Sequence, residues 1–139
     1  MPTIFARIIR REIPAHIVYE DDLVIAFLDI SQATKGHTLV VSKVDYQNIF
    51  EVPEKTASHL FGVATRLSKA IQKAFGASAL NILSNNGELA GQTVFHFHLH
   101  LIPRYERQDD NLFKLKNNQG NLTTDEYKER ARLIKEALS

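Results

Sequence analysis

Apolar residues recur along this chain with two spacings, one typical of strands and the other typical of helices. β-Branched and aromatic residues fill 17–19 and 24–28, and the acidic stretch 20–22 between them predicts the turn of a β-hairpin. Further runs of strand-forming residues predict additional strands at 37–42, 80–84 and 94–102. The chain is therefore expected to build a sheet from several short strands.

Two helices are predicted where apolar residues lie three or four positions apart. Residues 4–13 show this spacing and predict a short helix that stops before Pro14, because the residue that precedes a proline disfavours helical geometry. A long helix is predicted between Pro53, a residue suited to a first helical position, and Gly76, a typical C-cap. Its apolar stripe consists of Leu60, Val63, Leu67, Ile71 and Ala74.

A third helix is predicted near the end of the sequence. Thr123 and Glu126 have the spacing of a capping box, in which the two side chains satisfy each other's main-chain amides.

Strands that are grouped around one long helix, with short helices towards the termini, indicate an α+β domain with an antiparallel sheet. Strictly alternating strands and helices would indicate a parallel one.

Composition and charge restrict the class of protein. A chain of 139 residues with 44% hydrophobic residues is typical of one globular domain, so residues 1–139 are expected to form a single domain. A net charge of +1 disfavours a nucleic-acid partner, and the absence of cysteine excludes disulfides, thiolate zinc sites and a cysteine nucleophile. The charged N-terminus and the lack of a long apolar run predict a cytoplasmic protein without a membrane span. A small molecule is the expected ligand.

The most informative segment contains three histidines in five residues, at His96, His98 and His100. Side chains alternate along a strand, so these imidazoles should share one face while Phe95 and the other apolar residues of the segment share the opposite face. One isolated histidine is most often structural. Three aligned histidines indicate chemistry on one face of the sheet.

A metal site is one interpretation of these histidines. At a rise of about 3.3 Å per residue, His96 and His100 are about 13 Å apart, so one ion with bonds of about 2.1 Å could bind at most two of the three. A further ligand such as His37 or Asp29 would then be needed, and the sequence does not fix one. Metal catalysis is therefore the less favoured alternative.

Nucleophilic and acid–base chemistry is the favoured interpretation. A neutral imidazole can attack phosphorus, form a labile phosphorus–nitrogen bond and then be displaced by water. Such a step needs hydrogen-bond donors for the phosphate oxygens, and the polar stretch 85–93 directly before the histidines supplies amides, a hydroxyl and main-chain N–H groups. The same stretch could also be an ordinary polar turn.

The segment His96 to Ile102, with its alternation of histidine and apolar residues, resembles the signature of the histidine triad (HIT) superfamily. Residues 91–95 resemble the lead-in of its nucleotide-binding branch, and the segments 4–14, 27–31 and 36–37 resemble other landmarks. The resemblance implies a five-stranded antiparallel sheet with helices, usually in a homodimer. The core should span about 4–104, and 105–139 should form a C-terminal extension.

The resemblance also implies roles for individual residues. His98 would be the nucleophile, with its other ring nitrogen donating to a main-chain carbonyl, while His100 and Thr93 would handle the phosphate and the leaving group. His37 and His96 would support the nucleophile, and Asp29 would bind the ribose hydroxyls. Phosphate-binding residues are expected at Asn85, Gly91, Gln92, Thr93 and Val94. An apolar slot for the base is expected from Phe5, Ile8, Phe27 and Ile30.

One departure from the family pattern concerns zinc. Several bacterial relatives hold a structural zinc ion with two cysteines near the N-terminus, a later histidine and the first histidine of the triad. In this chain the corresponding positions are Thr3, Ala6, Asp45 and His96. Three of the four ligands are missing, so the sequence predicts no metal and no cofactor.

The resemblance implies a hydrolase or transferase that attacks the α-phosphate of a nucleotide derivative through a covalent nucleotidyl-histidine intermediate. Phosphoramidates of purine nucleoside monophosphates are the expected substrates. Dinucleoside polyphosphates are an alternative, because they present the same phosphorus atom. A nucleotide-binding regulatory module with little turnover is a third possibility.

Overall fold

A five-stranded antiparallel sheet forms the centre of the computed structural model, which describes residues 2–106 and 115–138. The strands are β1 (Ile17–Glu20), β2 (Val24–Leu28), β3 (Thr38–Ser42), β4 (Ala79–Leu83) and β5 (His98–Arg104). Their order in the sheet is β1-β2-β3-β5-β4. The helices are α1 (Ile4–Ile9), α2 (Glu54–Phe75) and α3 (Thr124–Leu138), with a 3₁₀ turn at Glu88–Ala90. The predicted α+β class and five-stranded sheet are confirmed.

The two faces of the sheet pack against different helices. Val40 and Leu99 belong to a core that includes Leu60 and Val63 of α2. The opposite face belongs to a second apolar cluster, which contains Phe5, Ile8, Ile25, Phe27, Leu39 and Val41. Because successive side chains of a strand point to opposite faces, β5 presents Leu99 to the α2 side and its neighbours His98 and His100 to the α1 side.

The predicted end of the first helix and the predicted start of the last strand are wrong. The first helix ends at Ile9 and not at Ile13, since Arg11 adopts a left-handed conformation with φ of 63° that a helix cannot accommodate. The last strand begins at His98 and not at residue 94, because the preceding main chain leaves the regular ladder and Phe97 N donates instead to Tyr46 O. Phe95, predicted on the core face of that strand, is exposed for the same reason.

The predicted C-cap of α2 and the predicted capping box of α3 are confirmed, whereas Pro53 is the N-cap of α2 and not its first helical residue. α2 ends at Gly76, which has φ of 71° and donates its amide to Gln72 O, as expected of a left-handed C-cap. At α3, Thr123 N donates to Glu126 Oε1 and Glu126 N donates to Thr123 Oγ1, which forms the capping box. None of the described residues of α3 is buried. Among the described residues, no helix combines the length and apolarity needed to cross a membrane.

Candidate active site

The candidate active site lies where β3 and β5 pair beneath α1. His98 is opposite Val41 and His100 is opposite Leu39 in the antiparallel register. The His98 ring is edge-on to Phe5 of α1, with 4.9 Å between ring centroids, and lies 5.0 Å from the His100 ring. The strand register therefore places two of the three predicted histidines side by side against the N-terminal helix.

His98 has the hydrogen bonding expected of a nitrogen nucleophile. Its Nδ1 donates to the main-chain carbonyl of His96 over 2.6 Å, and because a carbonyl only accepts, Nδ1 must carry the proton. The Nε2 atom of the neutral ring then has a free lone pair. Burial lowers the pKa of His98 below its ordinary value, although the bond to the His96 carbonyl acts in the opposite direction. The ring is therefore neutral, with Nε2 unprotonated, at neutral pH.

A second chain of hydrogen bonds fixes the proton of His100. The amide of Ala33 donates to His37 Nδ1 over 3.2 Å, so the proton of the neutral His37 ring lies on Nε2. His37 Nε2 is 2.9 Å from His100 Nδ1 and donates to it, which leaves the proton of the neutral His100 ring on Nε2. Burial, together with the neighbouring rings of His98 and His37, lowers the pKa of His100 to about 4. His100 Nε2 is thus an N–H donor beside the lone pair of His98.

Asp29 follows β2 and stands close to this pair. Its Oδ1 accepts from the amide and the hydroxyl of Ser31 over 2.8 and 2.6 Å, and its Oδ2 is 3.6 Å from His37 Nε2. Burial alone would raise the pKa of Asp29, but the bonds from Ser31 and the nearby His37 outweigh burial and lower it. The site therefore carries one fixed carboxylate.

Asp29, His37 and His100 are also the described residues that could together hold a metal ion, since their ligand atoms lie within 4.8 Å of one another. The metal interpretation of the sequence needed His37 or Asp29 as a further ligand, and the fold does bring them to His100. An ion bound here would have to displace the proton that His37 Nε2 shares with His100 Nδ1. The hydrogen bonding of these residues fits a proton-holding pair better than a ligand set.

The loop between β2 and β3 is held by a residue that sequence reasoning missed. Gln32 Nε2 donates to Asp29 O and to His37 O, both over 2.7 Å, while its Oε1 accepts from Gly36 N. Gly36 itself has φ of 93°, and a Cβ atom there would lie 2.9 Å from the Phe75 ring. The side chain of Gln32 therefore links the main chains of Asp29 and His37 by hydrogen bonds. A glutamine in a polar loop gives no sequence signal for such a role.

An apolar cavity of about 530 Å³ opens beside Asp29. Its size is that of a small-molecule site. It brings together six of the predicted nucleotide-binding residues, Phe5, Ile8, Phe27, Asp29, Ile30 and Val94. The sequence did not single out His16, which also lines the cavity and adds an imidazole to an otherwise mostly apolar wall.

The polar loop before β5 contains one side chain whose hydrogen bonds lie within the protein and several polar groups that a ligand could bind. Gln92 is buried, and its side chain is occupied, because Oε1 accepts from Gly87 N and Nε2 donates to Gln47 O and Val94 O. Among residues 2–106 and 115–138, the Thr93 hydroxyl, the Asn85 side chain and the Val94 amide have no hydrogen-bond partner. Gly91, with φ of 89°, allows the turn that precedes them.

His96, the remaining predicted site residue, is completely buried. Its Nε2 donates to Ser42 O over 2.7 Å, and its Nδ1 lies 3.0 Å from Thr3 Oγ1 and 3.2 Å from Asp45 Oδ1. Three of the four positions that correspond to zinc ligands in several relatives therefore lie together here. They are Thr3, Asp45 and His96. His96 contacts the nucleophile through its main-chain carbonyl.

Comparison with known proteins shows which family carries this arrangement. The family model described as HIT domain matches residues 10–107, which include all the strands and both predicted catalytic rings of β5. The chain belongs to the histidine triad family. Members of the histidine triad family are generally nucleotide-binding hydrolases or transferases, and the family resemblance of the sequence is confirmed.

Three histidine triad proteins illustrate the similarity. The protein hit of Bacillus subtilis is 50% identical over 106 residues, which cover 76% of this chain and 73% of that protein. The crystal structure of a HIT family protein from Bacillus anthracis is 47% identical, with a TM-score of 0.94 over 99% of this chain and 97% of that chain. The adenylylsulfatase HINT3 of Arabidopsis thaliana is 40% identical over 104 residues, which cover 75% of this chain and 53% of that protein.

Proposed function

We propose that the protein is a cytoplasmic nucleotidyl hydrolase that attacks the α-phosphorus of purine nucleoside phosphoramidates through a covalent intermediate on His98. The observation that carries this proposal is the pair of opposite proton assignments on β5. His98 has its lone pair on Nε2, and the adjacent His100 has its proton on Nε2. A nucleophile and a proton donor thus stand side by side, with ring centroids 5.0 Å apart.

The reaction follows from these two assignments. His98 Nε2 forms a bond to the α-phosphorus while the bond to the leaving group breaks, and the departing atom takes the proton from His100 Nε2. The His98 ring, which keeps its proton on Nδ1, thereby gains one positive charge, and the His100 ring gains one negative charge. Water then attacks the phosphorus, its proton returns to His100 Nε2, and the phosphorus–nitrogen bond to His98 breaks. The nucleoside monophosphate is released and both rings return to their starting state.

The surroundings of the two rings support a nucleotide as the substrate. The apolar cavity that contains Phe5, Phe27 and Ile30 suits a base, and the carboxylate of Asp29 at its edge suits the ribose hydroxyls. Thr93, Asn85 and the amide of Val94 offer donors to phosphate oxygens. The side-chain amide of Gln92 already donates to Gln47 O. It would therefore hold the loop in place and would not bind phosphate.

Other leaving groups define the alternative functions. The Arabidopsis relative is named an adenylylsulfatase, and dinucleoside polyphosphates present the same phosphorus atom. Sulfate and phosphate leave as stable anions, whereas an amine must receive a proton as it leaves. The donor at His100 Nε2 therefore favours the amine class. A regulatory module would bind nucleotides without turning them over.

The experiment is a rapid-quench measurement with a radiolabelled adenosine phosphoramidate, followed by initial rates on an adenylyl sulfate and a dinucleoside polyphosphate. We expect one nucleotidyl group per chain on His98 in the wild type. We expect turnover of His98→Ala to be lower by on the order of 10⁴-fold. Turnover that persists in His98→Ala would refute the nucleophile, and nucleotide binding without turnover in the wild type would support the regulatory module.

We also propose that the protein is a homodimer. Tyr127, Ile134 and Leu138 of α3 are exposed although they lie on one side of an amphipathic helix. A second copy would cover such residues, and sedimentation equilibrium tests this directly. A monomer at micromolar concentration would refute the proposal.

A further inference from the structure

The imidazole of His96 is a completely buried polar group for which the proposed chemistry gives no direct role. Burying such a ring is unfavourable unless both nitrogens have partners. Nε2 donates to Ser42 O over 2.7 Å, so in the neutral ring Nδ1 carries no proton and accepts from Thr3 Oγ1 over 3.0 Å. The carboxylate oxygen Oδ1 of Asp45 lies 3.2 Å from Nδ1 but has no proton to donate to it. The ring is therefore held on both sides, by the end of β3 and by the residue that precedes α1.

The main chain of His96 has a more direct connection with the site, because its carbonyl accepts the proton of His98 Nδ1. That carbonyl lies two residues before His98, where β5 begins, so the sheet ladder does not fix it. It is fixed by the bonds around it, which are His96 N to Val94 O over 2.9 Å and the side-chain bond to Ser42. The side chain of His96 thus positions the acceptor that sets the tautomer of the nucleophile.

Thr3 connects this residue with the wall of the cavity. Its hydroxyl oxygen accepts from Ala6 N over 3.0 Å, which makes Thr3 the N-cap of α1, and it also contacts His96 Nδ1. Phe5 of the same helix lines the cavity and lies edge-on to His98. A displacement of α1 would therefore move both the cavity wall and the Thr3 hydroxyl that contacts His96.

We propose that Thr3 is a positioning residue that acts through the buried imidazole of His96 to hold its carbonyl in the orientation that keeps the proton of His98 on Nδ1. This inference deepens the proposed function and rests on it. Thr3 donates to His96 Nδ1 and also caps α1, whereas the Asp45 side chain is 58% exposed and has no proton to donate to that nitrogen. Neither residue touches the cavity that would hold the substrate.

The test combines turnover with the ¹⁵N chemical shifts of the His98 ring, which report the nitrogen that carries the proton. We expect Thr3→Val to shift His98 towards a mixture of tautomers and to lower kcat about tenfold, the size expected for one lost hydrogen bond. Thr3→Ser should restore both properties. Asp45→Ala, which leaves the cap of α1 and the Thr3 bond to His96 intact, should leave both properties unchanged.

Matched controls separate this role from a general loss of stability. Thr65→Val removes a hydroxyl that donates to Phe61 O on the exposed side of α2, and Asp22→Ala removes an exposed carboxylate in the turn between β1 and β2. Neither control should alter the His98 shifts. If Thr3→Val lowers only the Tm and leaves the His98 shifts and kcat unchanged, Thr3 is merely a helix cap and the proposal is wrong.

The two proposals fail in different ways. If the wild type does not turn over any nucleotidyl substrate, but Thr3→Val still changes the His98 tautomer, the proposed function is wrong and the positioning role stands. If the wild type forms the covalent intermediate and Thr3→Val does so at the wild-type rate, the proposed function stands and the positioning role is refuted.

Discussion

Replacing His37 by phenylalanine should slow the enzyme selectively on substrates whose leaving group needs a proton. His37 is only 4% exposed, and its one N–H donates to His100 Nδ1 over 2.9 Å. Removal of a neutral hydrogen bond costs about 0.5–1.5 kcal/mol, which allows the proton of His100 to move from Nε2 to Nδ1. The fraction of His100 able to protonate the leaving group should then fall, and kcat with it, by about two- to tenfold.

The assay compares two adenosine monophosphate derivatives that share the base, the sugar and the phosphorus. One is the phosphoramidate of an alkyl amine, which requires a proton as it leaves. The other is the 4-nitrophenyl ester, whose leaving group departs as a stable anion. His37→Phe should reduce kcat for the amine derivative only, and His37→Gln, which keeps an N–H donor, should recover part of the loss.

The matched control is His59→Phe, since His59 bonds Asp21 at a distance from the site. That variant should leave the ratio of the two rates at its wild-type value. An equal loss of both rates in His37→Phe would mean that His37 only supports the loop. The assignment of the His100 proton to leaving-group protonation would then be wrong.

Three further predictions concern the sugar, the pH dependence and metal ions. Asp29→Ala should weaken the binding of adenosine monophosphate by roughly ten- to a hundredfold but barely affect the 2′,3′-dideoxy analogue, measured by calorimetric titration, because a charge-assisted hydrogen bond contributes about 1.5–3 kcal/mol. An equal loss for both ligands would instead assign Asp29 to loop support through Ser31. The pKa of His100 is lowered from 6.5 to about 4 in the folded chain, so the unfolded chain binds more protons between these values and stability should fall as pH falls from 6.5 to 4. The contribution of His100 to the free energy of unfolding is at most about 3 kcal/mol. In urea unfolding, the free energy of unfolding of His100→Gln should depend less steeply on pH than that of the wild type. An unchanged slope would contradict the lowered pKa of His100. Exhaustive chelation should leave turnover and Tm unchanged, whereas one equivalent of zinc lost together with activity, detected by elemental analysis, would restore the metal interpretation.

Those parts of the fold and site that depend on local patterns could be predicted from the sequence. The C-cap at Gly76 and the capping box of Thr123 and Glu126 need only neighbouring residues, and both formed as predicted. The alternation of side chains in a strand placed His98 and His100 on the face opposite Leu99. These predictions succeed because the determining interactions lie within a few positions of one another.

The parts that failed depend on contacts between distant segments. The start of β5 is set by Tyr46 O, which accepts from Phe97 N, and nothing in the sequence around residue 94 encodes that bond. The amide of Ala33, which fixes the proton of His37, has no side-chain signature at all. Gln32 reads as an ordinary loop residue until its three hydrogen bonds to the loop are seen.

The exposure of α3 affects how the unfolding of this protein should be measured. A helix of 15 residues that buries none of its described side chains is held mainly by its own hydrogen bonds and its cap, and isolated helices of about this length are only marginally stable in water. Its melting should therefore be gradual and independent of the sheet. Far-ultraviolet circular dichroism, which detects α3 together with α2, would then show a sloping transition. That transition should not coincide with the tyrosine fluorescence of a Tyr127→Phe variant, in which α3 has no tyrosine and Tyr19 and Tyr46 pack against the core. A single coincident transition would instead indicate that assembly buries the helix.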